Sequence, residues 1–211
     1  PKRDIDIDWK NILPGDNSDL IWSSYYDIEN LPQVTNPESG YLQNCNSSPY
    51  KATIGKDKPK DELPLHAGIE TFQTNRAYRA NELFSSNNSI SKDDFYNYKY
   101  DTYYSKSSAM HYALNRFVSE VQTDDANLIE GVELLKGWDL NNNKENTVAA
   151  LAMMTFKLKF NIEEYIYNYE ETFDRFKESV NFLIDNYGQI NIPLGEFQRL
   201  RRGKLNLPLD G

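Results

Sequence analysis

Apolar residues recur every three or four positions through the middle of the chain, which is the spacing that places side chains on one face of a helix. Residues 74 to 187 also contain no proline, so nothing in that stretch forbids helices. The pattern predicts six helices: from Thr74 to about Phe84, a short one after Ser91, one with Met110 to Val121 on its face, one from Leu128 to Leu135, one from about Lys144 to Leu158, and a long one from about Ile162 to Gly188.

Several of these helices carry recognisable end signals. Ser91 followed by Asp94 resembles a capping box, with Asp in the place usually held by Glu. Gly137 and Gly188 stand where glycine commonly ends a helix. These signals set the limits of the predicted helices.

The two flanking segments differ from this helical region. Residues 1–73 hold most of the nine prolines and resemble short strands, turns and loops. Residues 189–211 return to Pro and Gly, and Leu205, Leu207 and Leu209 alternate as in a strand with one buried face. We therefore predict three segments, 1–73, 74–188 and 189–211, within one structural unit. The fold class is mainly α with a few short β-strands.

The segment 36–49 is the most informative stretch for chemistry. Turn formers surround Tyr41 and Leu42, which favour a short strand, and the strand would end in Asn44, Cys45 and Asn46. An Asn side chain at a strand end can donate its NH₂ hydrogens to a developing negative charge on an amide oxygen. A merely polar turn is the competing interpretation of the same residues.

Composition excludes several classes of function. The 211-residue chain is 39% hydrophobic and 26% charged, as in globular proteins, and its net charge of −9 disfavours nucleic acid as a partner. Cys45 is the only cysteine, so neither an intrachain disulfide nor a cysteine-based zinc site can form. No apolar run is long enough to span a membrane, and we expect no cofactor. The chain begins at Pro1 without an initiator Met, and we expect it to be part of something longer.

Two other motifs give weaker indications of chemistry. The run from Asp139 to Glu145 has alternating Asp and Asn as in a calcium loop, but Lys144 and Ala150 replace the Gly and Glu that an EF-hand requires, which favours a helix–helix turn. Five tyrosines between Tyr96 and Tyr104 line either an interface within the protein or a recognition surface. No complete acid–base–nucleophile constellation is evident from the sequence.

A series of segments, in order along the chain, resembles the later part of the catalytic chain of the penicillin acylase family. The closing segments are most similar to the branch of acyl-homoserine lactone and aculeacin acylases. The matching pieces are Trp22, Leu31 to Val34, Asn36 to Asn46, Asn75 to Leu83, Tyr100 to Ser105, Leu134 to Asp139, Leu194 to Gly203 and Leu207 to Gly211.

The resemblance implies an N-terminal-nucleophile hydrolase that cleaves linear amides, acyl group from amine, through an acyl-enzyme intermediate. In that family a Ser exposed by autocleavage attacks, and its own α-amine acts as base. The oxyanion-hole asparagine falls on Asn46, and an arginine near the nucleophile falls on Arg76, with Arg79 as the competing choice. The substrate would be an acylated small-molecule amine; the substrate-binding residues are unknown, and no metal is assigned.

The resemblance also implies partners and a location. The nucleophile would lie before Pro1, so the chain alone should be inactive, and the remaining segments of the same precursor would complete an αββα fold. Without them, Leu42 and the Leu205–Leu207–Leu209 stripe should be exposed. Members of the family are commonly exported to the periplasm or beyond. The alternative is a non-catalytic helical binding module that uses the tyrosine cluster as its recognition surface.

Overall fold

The computed structural model describes residues 2, 7–9, 11–57, 59, 63, 67–69, 71–157, 159–160 and 165–211. The chain divides into two compact units, an N-terminal unit, Pro1–Ser86, and a C-terminal unit, Asn87–Gly211. Within the described ranges the structure is mainly helical with two small sheets of two strands each, which confirms the helical majority predicted from the sequence. In those same ranges no helix has both the length and the apolar character that a bilayer span requires.

The N-terminal unit consists mostly of loops that end in one helix. Among its described residues, the elements include three single-turn 3₁₀ segments, Ser18–Leu20, Ile28–Asn30 and Pro49–Lys51, followed by α1, Asn75–Ser85. The predicted strand at Tyr41 and Leu42 is wrong: those residues form no ladder with any described part of the chain. One backbone bond, from Gln43 N to Ala52 O at 2.8 Å, joins this stretch to its neighbour, and a single bond does not make a strand pair.

The C-terminal unit carries the remaining helices and all four strands of the described residues. The helices are α2 (Lys92–Lys99), α3 (Ala109–Glu120), α4 (Ala126–Lys136), α5 (Ala149–Thr155), α6 (Tyr169–Tyr187) and α7 (Leu194–Phe197). The strands are β1 (Lys159–Phe160), paired antiparallel with β2 (Tyr165–Ile166), and β3 (Arg199–Arg202), paired antiparallel with β4 (Leu205–Pro208).

The predicted helix ends are largely confirmed. Ser91 Oγ accepts from Asp94 N at 3.1 Å while the Asp94 carboxylate accepts from Ser91 N at 2.9 Å, so the capping box is complete. Gly188 adopts a left-handed φ of 76° directly after α6, where a residue with a Cβ would be strained. Gly137 follows α4 as predicted, although in a right-handed conformation.

Two helix starts differ from the prediction. The fifth helix begins at Ala149 rather than near Lys144. Asn146 Oδ1 accepts from Val148 N and Ala149 N, both at 3.0 Å, and so satisfies backbone donors at the start of the helix. The predicted end at Leu158 lies outside the described residues. The long helix begins at Tyr169 with Asn168 as its cap. Ile166 lies in β2 instead, and the predicted start at Ile162 is outside the described residues.

Helices α3 to α6 enclose the apolar core of the C-terminal unit. The rings of Phe117 and Phe176 are fully buried and lie 5.1 Å apart in an edge-to-face arrangement. Gly131 of α4 permits this packing, since a Cβ there would lie 2.9 Å from Phe176 Cζ and 3.1 Å from Val180 Cγ2. The apolar stripes of α3 to α6 therefore supply most of the core, whereas α2 has no buried residue and Ile129 of α4 is exposed.

The β3–β4 hairpin has two unlike faces. Pro208 packs against Gly195 of α7, where an added Cβ would come within 2.7 Å of Pro208 Cβ. On the other face, Leu200 pairs with Leu207 and both are exposed. Leu205 and Leu209 alternate with Leu207 and are exposed as well, and so is Leu42 in the N-terminal unit, so the exposure predicted for Leu42 and for this leucine stripe is confirmed. We call Leu200, Leu205, Leu207 and Leu209 the leucine face.

Candidate functional site

The two site residues predicted from the sequence lie in direct contact within the N-terminal unit. Arg76 Nη2 donates to Asn46 Oδ1 at 2.7 Å, although thirty positions separate the two residues in the chain. The same nitrogen also lies 3.4 Å from the carbonyl oxygen of Cys45. Both side chains are exposed to solvent, so the contact forms at the surface of the unit.

A set of short-range hydrogen bonds shapes the loop that carries Asn46. Asn44 Oδ1 accepts from Asn46 N at 3.2 Å, and Gln43 Oε1 accepts from Cys45 N at 2.9 Å. These are Asx-type turns, which Asn and related side chains form readily. The Gln43 side chain is buried and also donates to Lys51 O at 2.8 Å, which holds the start of the loop against the next turn.

Asn46 itself has a left-handed backbone with φ of 55°. Asn tolerates this conformation better than residues with branched or bulky side chains. The loop therefore turns sharply at Asn46 without requiring glycine, and a side-chain amide is retained at the turn.

The second half of the site is the N-terminus of α1. Thr74 caps that helix: its Oγ1 accepts from Ala77 N at 3.2 Å. Arg76 sits in the first turn of α1, where the helix dipole makes the surroundings positive. The Arg76 guanidinium contacts the Asn46 side chain, so positive charge lies beside Asn46, an arrangement that favours an anion there.

The direction of the Asn46 amide follows from its partner. A guanidinium has only donors, so the Asn46 atom facing Arg76 must be the carbonyl oxygen, and Nδ2 must point elsewhere. In the described part of the chain, no acceptor lies within hydrogen-bond reach of Asn46 Nδ2. Asn46 consequently offers two N–H donors to a ligand, and the Arg76 bond to its oxygen polarises the amide and strengthens them.

The competing arginine is engaged on its own helix. Arg79 Nη1 lies 2.7 Å from Glu82 Oε2, three positions along α1. This is a common i, i+3 ion pair. The geometry thus favours Arg76 over Arg79 as the residue that accompanies Asn46.

The one histidine among the described residues, His111, contacts no nucleophile. His111 Nδ1 lies 2.8 Å from Lys106 O, and its Nε2 lies 3.1 Å from Asn115 Nδ2, so both ring nitrogens bond within or beside α3. His66 lies outside the described residues. Nor do the described residues contain a group of three or more metal-binding side chains. What the site offers in this part of the chain is donation to an anion.

The tyrosine cluster divides between two environments in the C-terminal unit. The ring of Tyr104 packs edge-to-face on Trp138, 5.9 Å away, beneath the surface. Tyr96 and Tyr100 are exposed, with Lys92 over the first ring and Lys99 over the second. Tyr103 is exposed as well, so three of the five tyrosines lie at the surface of this unit, and lysines flank two of them.

The sequence analysis named Asn46 and Arg76 as candidates, and it did not anticipate the contacts that Gln43 and Thr74 make with the loop that carries Asn46. Thr74 was recognisable as a helix cap from its position before the apolar repeat. Its hydroxyl also donates to Cys45 O at 3.0 Å, a contact across twenty-nine positions. Nothing in the local pattern around either residue signals that long-range bond.

Comparison with known families places the chain in one of them. The penicillin amidase family matches residues 1–186, which is most of the chain. The chain belongs to the penicillin amidase family, whose name indicates a hydrolase acting on amides.

Proposed function

We propose that this chain is the later part of the catalytic chain of a penicillin-acylase-type enzyme, and that Asn46 donates to the oxyanion of the reaction. The observation that carries the proposal is the Asn46–Arg76 contact, which fixes the amide oxygen and leaves Nδ2 available. Membership of the amide-hydrolysing family supports the reaction class.

The proposed reaction is acyl transfer from an acylated small-molecule amine to water. A serine hydroxyl from another segment of the precursor attacks the amide carbonyl, with the serine's own α-amine taking the proton. Negative charge then develops on the carbonyl oxygen, and Asn46 Nδ2–H donates to that oxygen. The amine leaves with a proton, and water hydrolyses the remaining acyl ester.

In this proposal Arg76 acts on the oxyanion through Asn46. Its guanidinium holds the amide in the donating orientation and contributes positive charge beside the oxyanion. Arg76 also lies within reach of the Cys45 carbonyl, so one side chain constrains both the backbone and the side chain of the loop.

The rest of the precursor is the proposed partner of this chain. The leucine face of the β3–β4 hairpin and the exposed Leu42 are apolar surfaces of the kind that pack against another layer in a sandwich of sheets. We propose that these surfaces complete the αββα fold with the preceding segments, and that the enzyme is exported, as the family resemblance implies.

The decisive experiment is Asn46→Ala in the full-length enzyme, assayed on an amide substrate. Losing one oxyanion donor lowers turnover by about 100- to 1000-fold. Asn36→Ala is the matched control, because Asn36 also has a left-handed φ, of 49°, in the same unit and is not part of the site. It should share the backbone strain and keep turnover. Near-normal turnover of the Asn46 variant would refute the oxyanion role.

A second experiment tests the fragment assignment. The isolated chain should not hydrolyse a chromogenic acyl-anilide, since the nucleophile is proposed to lie in another segment. Adding the separately produced remainder of the precursor should restore hydrolysis. Robust activity of the isolated chain would contradict the proposal.

A further inference from the structure

A single hydroxyl group joins the helix that carries Arg76 to the loop that carries Asn46. Thr74 Oγ1 accepts from Ala77 N at 3.2 Å and donates to Cys45 O at 3.0 Å. A hydroxyl has one hydrogen to donate and lone pairs to accept, so the two bonds use different parts of the group and coexist.

The carbonyl that Thr74 contacts belongs to the peptide directly before Asn46. Because the Cys45–Asn46 peptide is planar, fixing its oxygen fixes the plane from which the Asn46 side chain departs. Asn46 also has an uncommon left-handed backbone, and such conformations persist only where surrounding contacts determine them. Arg76 Nη2 lies 3.4 Å from the same carbonyl and is the weaker of its two donors.

We propose that Thr74 is a positioning residue: its hydrogen bond to Cys45 O sets the direction in which Asn46 presents its amide donors. This inference rests on the proposed function. Thr74 touches neither the substrate nor the reacting atoms, and its effect on the reaction passes through Asn46.

The two bonds of Thr74 can be separated by substitution. Ser keeps both the acceptor and the donor. Asp accepts from the helix N-terminus but, when ionised, cannot donate to Cys45 O. Gly is a tolerated N-cap residue and has no donor. Asp also places a charge near Arg76, and Gly does not. If both variants lower kcat alike, the loss of the hydroxyl donor is the cause of the lower kcat.

The test compares these variants in the full-length enzyme on an amide substrate. Thr74→Ser should keep kcat within about twofold of the parent. Thr74→Gly and Thr74→Asp should keep thermal stability close to that of the parent and lower kcat about 10-fold with little change in KM, because a misplacement of ~1 Å can cost up to about 100-fold. Parent-like kcat in either the Gly or the Asp variant would overturn the inference.

Ser108 provides the matched control. It caps α3 in the same way, accepting from His111 N at 3.3 Å and donating to Ser105 O at 2.6 Å, but it lies in the C-terminal unit. Ser108→Gly should leave kcat unchanged. If it lowers kcat as Thr74→Gly does, the effect belongs to helix capping in general and the inference fails.

A double variant separates this inference from the proposed function. In the Asn46→Ala background, Thr74→Gly should have no further effect on kcat, since the group that Thr74 positions is gone. Additive losses would show that Thr74 acts by another route. If Asn46→Ala alone leaves turnover intact, the proposed function fails first. If Asn46→Ala lowers kcat but the Thr74 variants do not, the oxyanion role of Asn46 is supported and the positioning role of Thr74 is wrong.

Discussion

Each of the two units is stabilised internally by a different kind of interaction. The C-terminal unit, Asn87–Gly211, encloses a continuous set of buried apolar side chains, most of them contributed by α3 to α6. In the described residues of the N-terminal unit, Tyr50 and Ala77 are the apolar side chains that reach full burial. Its loops are closed by hydrogen bonds instead, including those of Gln43, Ser48 and Thr74.

The apolar side chains of the N-terminal unit are directed largely outward. The exposed ones among its described residues are Ile12, Ile21, Trp22, Tyr25, Ile28, Leu31, Leu42 and Ile54. Burial of apolar surface is the main favourable term in folding, so a unit with little of it depends on polar closures or on a partner. The unit that carries the candidate site is therefore the one with the smaller core of its own.

The largest effect should come from the core of the C-terminal unit. Phe176→Ala removes a fully buried ring and should lower the free energy of unfolding by about 3–5 kcal/mol. Leu42→Ala in the N-terminal unit, at 56% exposure, should change it by less than about 0.5 kcal/mol. In a variant with Trp9 and Trp22 replaced by Phe, Trp138 fluorescence during urea denaturation reports on the C-terminal unit. Amide exchange reports on the N-terminal unit. If Phe176→Ala and Leu42→Ala lowered the free energy of unfolding equally, the proposed difference between the two units would be wrong.

Overpacking should give the next largest effect. Gly131→Ala places a Cβ against Phe176 and Val180, and we expect a cost of about 1–3 kcal/mol from the forced shift, less about 1 kcal/mol of gained helix propensity. Gly137→Ala is the control, because its nearest new neighbour would be Leu134 O at an ordinary 3.6 Å. The same denaturation measurement checks both. A stabilised Gly131 variant would show that α4 and α6 are packed more loosely than described.

The loss of a side-chain hydrogen bond that joins two loops of the N-terminal unit should have a smaller effect on stability. The hydroxyls of Ser39 and Thr53 are hydrogen-bonded, and Thr53 is buried. Ser39→Ala leaves the Thr53 hydroxyl without that partner and should cost about 1–2 kcal/mol, whereas adding Thr53→Val should recover much of the loss. Amide exchange of residues 43–53 measures this. If the stability costs of Ser39→Ala and Thr53→Val simply add, the two hydroxyls do not stabilise the unit through their mutual hydrogen bond.

The smallest effect should be a local response to acid at α2. The hydrogen bond from Ser91 to the Asp94 carboxylate lowers the pKa of Asp94 below its usual value. A carboxylate with a lowered pKa stabilises the folded helix at neutral pH, and this stabilisation is lost as pH falls through the folded-state pKa. The protection factors of the amides at the start of α2, measured relative to the intrinsic exchange rate at each pH, should therefore fall in acid, and Ser91→Ala should remove most of that pH dependence. An unchanged pH profile in Ser91→Ala would contradict it.

Local chemistry explains which parts of the fold could be predicted from the sequence. The caps at Thr74, Ser91 and Gly188 act on adjacent backbone groups, so their positions were evident from the sequence. The start of α5 was missed because Asn146 competes with its neighbours for the backbone N–H groups, and composition alone does not rank them. The strand at Tyr41 was wrong because a strand needs a partner, and pairing is a non-local property.

The same distinction holds for the candidate site. Asn46 and Arg76 were found through their place in an ordered series of motifs. Their contact and the Thr74 bond to Cys45 O depend on how the loop folds back onto α1. The roles assigned to Asn46 and Arg76 remain predictions that the turnover experiments decide.

The left-handed backbone at Asn46 has a consequence for which substitutions the chain can accept. Gly, Asn and Asp are the residue types that adopt that conformation at low cost. Of these, Gly has no side-chain donor and ionised Asp only accepts, so Asn satisfies both the backbone and the donor requirement. In a saturation library selected for amide hydrolysis, position 46 should return to Asn, whereas selection for folding alone should also retain Gly and Asp.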